Sequence, residues 1–332
     1  VFSLMAQRRF HPAYKLIREL ILEVSEKTNC PVTSMQAFHS DGQWRLPTEI
    51  VEQDYHPYNQ WYWKCSHSWY HTIDILSWFA EAWRKSEKKI NNIDVCANFS
   101  RPLDFLTQLN LDDYRNLFHD FDSHNRYSQE EYNSLMEGFW EIDAFNTINF
   151  NHDNRIACLA SLNLLHNGFG QRNWANAQWK DLYKGNGRIR QESHYVVQGP
   201  FQAISLISYQ SQEVKPDNFD DIYDVWGEYH LDVHVFRNNT MFPEWTGYEC
   251  YKINQLNINK MDGHSRGHQE DARRNGIVEF IENIQNFQPI EEHQSNYLDH
   301  ENGTTILSWI YQSAIAKQEG NNSLVNLKYG KY

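Results

Sequence analysis

Apolar residues recur along this chain at the spacing of helix faces, and that periodicity limits its fold more than any other feature. Residues 66–88, SHSWYHTIDILSWFAEAWRKSEK, put Trp69, Ile73, Leu76, Ala80 and Trp83 on one helical stripe. Residues 12–24 carry Pro12 near a first turn and set Tyr14, Ile17, Leu20, Ile21 and Val24 on one face. Residues 103–118 repeat the pattern, and Ser128-Gln-Glu-Glu131 is a capping box that opens another helix. Leucine-rich 155–166, tryptophan-bearing 172–184, and residues 270–284 and 303–317 also read as helices. The stretch 194–210, SHYVVQGPFQAISLISY, is β-branched and broken by Gly199-Pro200, so it suits strands or a kinked buried helix. Residues 184–188 and 210–218 read as loops within a domain. The expected fold is all-α: residues 1–332 form a single large antiparallel helical domain, with 194–236 the one stretch left open to β-structure.

A chain of 332 residues, 40% hydrophobic and 15% aromatic, is long and apolar enough to bury a substantial core. Its formal net charge of −13 argues against nucleic acid or an anionic membrane as the main partner. A phosphate-bearing substrate would require metal ions or a local arginine cluster. The five cysteines, Cys30, Cys65, Cys96, Cys158 and Cys250, show no C-x-x-C pair, so reduced thiols in a cytoplasmic protein are expected. Asn98-Phe-Ser100 and Asn238-Asn-Thr240 are formal glycosylation triplets of the kind an Asn-rich chain produces by chance. No signal peptide and no membrane-length apolar run is evident, and a start at Val1 reads as a trimmed or incomplete chain.

The segment NFDDIYDVWGEYH, 218–230, gathers Asp220, Asp221, Asp224 and Glu228. On a helix Asp220, Asp224 and Glu228 share one face, where they repel one another unless a cation lies between them. Mg²⁺, an oxygen-seeking ion that keeps phosphates or water in its shell, suits such a face, while a solvated acidic turn accounts for it equally well.

DDIYDVWGE resembles two motifs of the class I terpene synthases. As text it is close to the DDxxD box of the plant enzymes, and it is similar to the second metal motif of the microbial ones, with Asp224 in place of the hydroxyl residue. IDILSWFAEAW at 73–83 resembles the helix before the microbial aspartate box, and DYHP at 54–57 the segment ahead of it. The first aspartates themselves are missing; Glu81, Trp83 and Arg84 stand there. Arg188 and Arg190 resemble the family's diphosphate-sensing arginines, a role that suits planar guanidinium groups. The resemblance implies a Mg²⁺-dependent lyase that ionises a prenyl diphosphate in a helical cavity and cyclises the cation. Metal would be held by Asp220, Asp221, Asp224 and Glu228. A β-rich 194–236 is incompatible with that reading.

Three other classes compete. Residues 120–131 and 271–282 fit parts of an EF-hand calcium loop, although a helix N-cap explains the first and Arg273 occupies a ligand place in the second. His67/His71, His230/His234 and His264/His268 are spaced for zinc or iron on a helix, and HSRGHQE resembles the iron motif of ergothioneine-pathway sulfoxide synthases. For His67, His71 and Asp74, a solvated polar face is the simpler account. Sugar recognition, with Glu137 and Glu141 as acids, rests on composition alone. No GxSxG, P-loop or GxGxxG is present.

Overall fold

Stretches in which apolar residues alternate, instead of recurring every third or fourth place, form much of the sheet in this structure. The computed structural model describes residues 4–42, 44–54, 57–59, 64–67, 69–83, 88–118, 120–168, 189–211, 230–252, 256, 268–289 and 293–329. Along the chain come α1 (Pro12–Thr28), β1 (Ser34–Ser40), α2 (Pro47–Glu52), α3 (Lys64–His67), α4 (Tyr70–Ala80) and β2 (Asn92–Ser100). Then follow α5 (Pro102–Gln108), α6 (Leu111–Leu117), α7 (Phe121–His124), α8 (Gln129–Met136), β3 (Asp143–His152) and β4 (Arg155–Leu165). The last elements are β5 (Ile189–Gln198), β6 (Gln202–Ser211), β7 (His230–Arg237), β8 (Tyr248–Lys252), α9 (His268–Gln285), α10 (Glu301–Gln318) and β9 (Val325–Lys328).

The nine strands make one sheet in the order β8-β7-β6-β5-β1-β4-β3-β2-β9. Only β1 and β4 run parallel; the other seven pairings are antiparallel. This overturns the all-α expectation, and with it the terpene-synthase resemblance, because the described residues build a nine-stranded sheet where an antiparallel helical barrel was expected. The stretch 194–210 is a hairpin of β5 and β6 turning at Gly199, which takes φ 51°. Residues 155–166, read as a helix, are strand β4: Cys158, Ala160, Leu162 and Leu164 are buried on one side while Ile156 and Leu159 are exposed on the other. A leucine-rich run of eleven residues satisfies both periods, and only the neighbouring strands choose between them.

The helices read over 12–24, 66–88, 103–118, 270–284 and 303–317 hold with shifted ends, and the one read over 172–184 lies outside the described residues. Helix α1 runs four residues past the expected 12–24 and stops at Asn29, whose φ of 55° ends it in the left-handed region. The expected helix 66–88 contracts to α4, with its stripe intact: Trp69, Ile73, Leu76, Ala80 and Trp83 are all buried. Residues 103–118 divide into α5 and α6 because Asn110 accepts from two amides and starts a new helix. The capping box at Ser128 opens α8 as expected.

Helices α1, α4 and α10 cover one face of the sheet. Ile17, Ile21, Ile73, Phe79, Ile306 and Ile310 meet Val95, Ile148, Leu162, Leu206 and Val233 there. A second core lies beneath α2, α5, α6 and α8, around Ile50, Phe105, Tyr114 and Tyr132. The other face of the sheet exposes Phe145, Leu159, Tyr195 and Phe236. No helix among the described residues is long and apolar enough to cross a membrane. The strand assignment of 155–165 separates two nearby leucines that a helix would put on one face. Leu162→Ala is expected to cost about 2–5 kcal/mol in denaturant unfolding, and Leu159→Ala under about 1 kcal/mol; equal losses would contradict the strand.

Candidate functional site

The chain enters α1 through a tight 3-10 turn, Gln7–Phe10, and all four of its residues are buried. Successive residues of such a turn project about 120° apart, so Arg8 and Arg9 leave in different directions. Arg8 donates to Glu192 of β5 through Nε (2.6 Å) and Nη2 (2.7 Å). Arg9 donates to Asp74 of α4 through Nε (2.9 Å) and Nη2 (2.7 Å). All four side chains are nearly sealed from solvent. Tyr14, one turn into α1, donates its hydroxyl to Glu192 at 2.5 Å, and the ring of His194 reaches the same oxygen at 3.2 Å.

Burial alone would neutralise these groups, and the pairing overrides it. Desolvation pushes the Glu192 carboxyl up, but the Arg8 charge and the His194 hydrogen bond hold it well below the ordinary carboxylate range. Asp74 is likewise held low against its own burial by Arg9 and His300. Burial, reinforced by Glu192, keeps the Tyr14 hydroxyl protonated far above its usual pKa. The Asp74 carboxylate also meets His300 Nδ1 at 2.9 Å, and His300 Nε2 lies 2.7 Å from Ser295 Oγ. This chain has the connectivity of a Ser-His-Asp triad without its chemistry: Ser295 is 1% exposed and its hydroxyl donates to the Leu4 carbonyl at 2.7 Å.

Two imidazoles lie within the field of these pairs. His39 on β1 is the cross-strand partner of Glu192, and its Nε2 accepts from Arg190 Nε (3.2 Å) and Nη2 (3.0 Å). A neutral ring that accepts at Nε2 carries its hydrogen on Nδ1, and that atom has no hydrogen-bond partner among the described residues. Burial and the Arg190 charge depress the His39 pKa to about 3. His71, one turn before Asp74 on α4, is depressed to about 3 by burial and by Arg8, and its Nδ1 has no partner among the described residues either. Between Arg8, Tyr14, Glu192, Ser208 and Gln269 a cavity of about 10 Å³ remains, room for a single water. Helix α9 closes it; Gly276 packs there so tightly that a Cβ would come within 2.9 Å of the Phe10 ring.

Of the residues singled out in the sequence, Arg190 stands in this cluster, bound to His39 and, at 3.4 Å, to Gln269. Arg188, Asp220, Asp221, Asp224 and Glu228 lie outside the described residues. The Mg²⁺ expectation falls with the helical barrel that was to frame it. The calcium alternative fails on local geometry: residues 271–282 lie within the unbroken helix α9, and Glu131 spends its carboxylate on the Ser128 amide as a helix cap. The zinc or iron alternative required helical pairs. His230 and His234 instead sit on strand β7, about 13 Å apart along extended chain, and His264 is not among the described residues. The polar face expected to be solvated is not: Asp74 is 0% exposed. Glu141, suggested as a sugar-cleaving acid, is buried beneath Tyr311 and Cys65, whereas Glu137 is exposed. Sequence reasoning passed over Arg8, Arg9, Tyr14, His39, Glu192 and His194. The available signal was a pair of arginines immediately before a proline-started helix.

No family model and no curated protein matches this sequence. Among solved structures, the WlbA dehydrogenase from Bordetella pertussis, in complex with NADH and UDP-GlcNAcA, is similar at 11% identity over 98% of this chain and 64% of its own, with a TM-score of 0.48. Levoglucosan dehydrogenase, in complex with NADH and levoglucosan, is similar at 12% identity over 98% and 65%, with a TM-score of 0.47. A myo-inositol dehydrogenase from Corynebacterium glutamicum is similar at 11% identity over 98% and 64%, with a TM-score of 0.42. The chain spans 64–65% of the length of these proteins. All three are dehydrogenases.

Two measurements test that geometry. Glu192→Leu strands the Arg8 charge and is expected to lower stability by about 3–5 kcal/mol, while Arg8→Met/Glu192→Leu recovers most of the loss in a denaturant double-mutant cycle. For pH, the unfolded histidines take a proton near 6.5 but His39 and His71 in the fold only near 3, so each removes stability as pH falls through that window. Glu141, raised to about 7 by burial, works in the opposite direction between its unfolded value of 4.5 and 7. Between about 4.5 and 6.5, two histidines against one carboxyl leave about one proton, on the order of 1.4 kcal/mol lost per pH unit. His39→Gln should flatten the slope measured by urea unfolding.

Proposed function

We propose that the chain binds a hydroxylated small molecule beside the Arg8–Glu192 pair and that His71 exchanges a proton with one of its hydroxyls. The observation that carries this reading is a neutral imidazole set among buried charges. His71 lies in the fields of Arg8, Asp74, Glu192 and Arg190, yet it is uncharged across the neutral range and its Nδ1 is unpartnered among the described residues. A neutral ring accepts a hydroxyl proton, and Arg8 and Arg190 favour the negative charge that develops on the oxygen as the proton leaves. The His39 Nδ1–H is a second unpartnered donor, suited to a neighbouring oxygen of the ligand.

The reaction class such a site serves is alcohol–carbonyl interconversion, in which the residues of this chain hold the substrate and move its hydroxyl proton. An oxidation would also need a hydride acceptor, and this sequence has no Gly-x-Gly-x-x-Gly loop to hold a dinucleotide. The ligand is larger than the existing cavity, so the first turn of α9, with Gln269 and Ala272 at the cavity wall, must yield when it enters.

The test is a thermal-shift screen against polyols, aldoses and hydroxy acids, followed by NMR of the histidine ring protons. Those signals are assigned with His71→Gln and His39→Gln. A stabilising ligand is expected to move both, and His71→Gln to weaken its binding about tenfold. Ligands that stabilise the protein while both signals stay put would overturn the proposal, as would a His71 ring titrating near its ordinary value of about 6.5.

A further inference from the structure

A second polar cluster lies where the parallel strands β1 and β4 both end. Three chain segments converge there too closely for side chains. A Cβ on Gly42, which takes φ 76°, would lie 1.6 Å from the Ile189 carbonyl oxygen, and one on Gly168 would lie 2.1 Å from Ser40 Oγ. Beyond this crossing the Arg45 side chain is 4% exposed and that of Asn167 is 3% exposed. Asn167 Oδ1 accepts the Arg45 amide at 3.0 Å, which leaves its Nδ2 as the donor end. That Nδ2 and Arg45 Nε are both sealed from solvent with no hydrogen-bond partner among the described residues. No described carboxylate lies within ion-pair distance of the Arg45 guanidinium.

The nearby carboxylates are committed elsewhere. Asp41 Oδ2 meets His166 Nδ1 at 2.8 Å. Asp143 Oδ1 accepts the amides of His166 (2.7 Å) and Asn167 (3.3 Å). Glu49 accepts the Leu46 amide at 2.7 Å. A buried guanidinium without a direct counter-ion is strongly unfavourable, and a guanidinium and a carboxamide NH2 offer hydrogens only. What both groups lack is an acceptor, and a planar or tetrahedral oxyanion supplies two or more oxygens with the matching charge.

We propose that Arg45 and Asn167 form a binding site for an oxyanion, the carboxylate or phosphate group of a small molecule, at the carboxyl end of strands β1 and β4. The site is independent of the His71 cluster and stands or falls separately from its chemistry.

The experiment measures the melting temperature of the whole chain in sodium acetate, sodium phosphate and sodium chloride at matched ionic strength, with glycerol as a neutral control. Acetate or phosphate is expected to raise it saturably above chloride, and the anion with the steeper response identifies the group. Arg45→Met should abolish the response while matching or exceeding the wild type in chloride, since it removes an uncompensated charge. Asn167→Asp replaces the Nδ2 donor with a negatively charged acceptor and should blunt the anion response. An identical anion response in Arg45→Met, an equal response to glycerol, or no response in the wild type would overturn the site. Should Arg45→Met not fold, Asn167→Asp decides alone: an undiminished anion response there sinks the proposal.

Discussion

Two consecutive arginines, each committed to a buried carboxylate on a different element, fix how this chain begins and therefore how its helices meet its sheet. Arg8 reaches β5 through Glu192 and Arg9 reaches α4 through Asp74. Neither charge tolerates burial without its partner, so the turn that carries both fits only where the two acids flank it. The arrangement extends outward. Tyr14 on α1 shares Glu192 with Arg8, and Asp74 holds His300, which ties the 293–300 segment back to Leu4 through Ser295. Such pairs add less net stability than apolar contacts of equal volume. Their effect is to permit one docking of α1 and α4 and to penalise the others.

The same pairs explain why two histidines can sit beside them without charge. Glu192 and Asp74 are saturated by arginine, so neither lends His39 or His71 enough attraction to offset burial and the facing cations. The outcome is a buried cluster whose charges are fixed and whose two neutral rings each keep an Nδ1 without a partner among the described residues. Electrostatics of this kind is set before a ligand arrives and needs no reorganisation when charge develops on it.

The sequence carried the helices more plainly than the sheet. The stripe from Trp69 to Trp83, the proline-started α1 and the Ser128 capping box are local signals, and each survives in the structure. Strands β1 and β5 are different: Ser34–Ser40 and Ile189–Gln198 bury His39, Glu192, His194 and Gln198 on their helix-covered face, so the apolar alternation that marks a strand is absent where the site is built. Strand β4 failed for another reason, since its leucines satisfy helical and extended periods alike. Arg190 was noticed as half of an Arg-x-Arg pair and belongs to the pocket, but through His39, a partner some 150 residues distant in sequence. The acidic segment drew the eye because its signal is local. Glu192 and Asp74 are single acids whose importance comes from arginines that tertiary structure brings to them.

Strand β1 joins the two polar regions into one architecture. His39 points to the helix-covered side beside Glu192; two residues later Asp41 has passed the strand end and holds His166. Asp41 is close enough to raise the His39 pKa against burial and Arg190, so the clusters are electrostatic neighbours. An oxyanion at Arg45 would add negative charge beyond Asp41 and act on His39 in the same direction. The antiparallel pairing of β1 with β5 sets this relation, because it places Glu192 opposite His39 and Arg190 one step further toward the same sheet end. A single strand terminus thus joins the buried charge cluster around His39 and Glu192 to the polar cluster around Asp41 and His166.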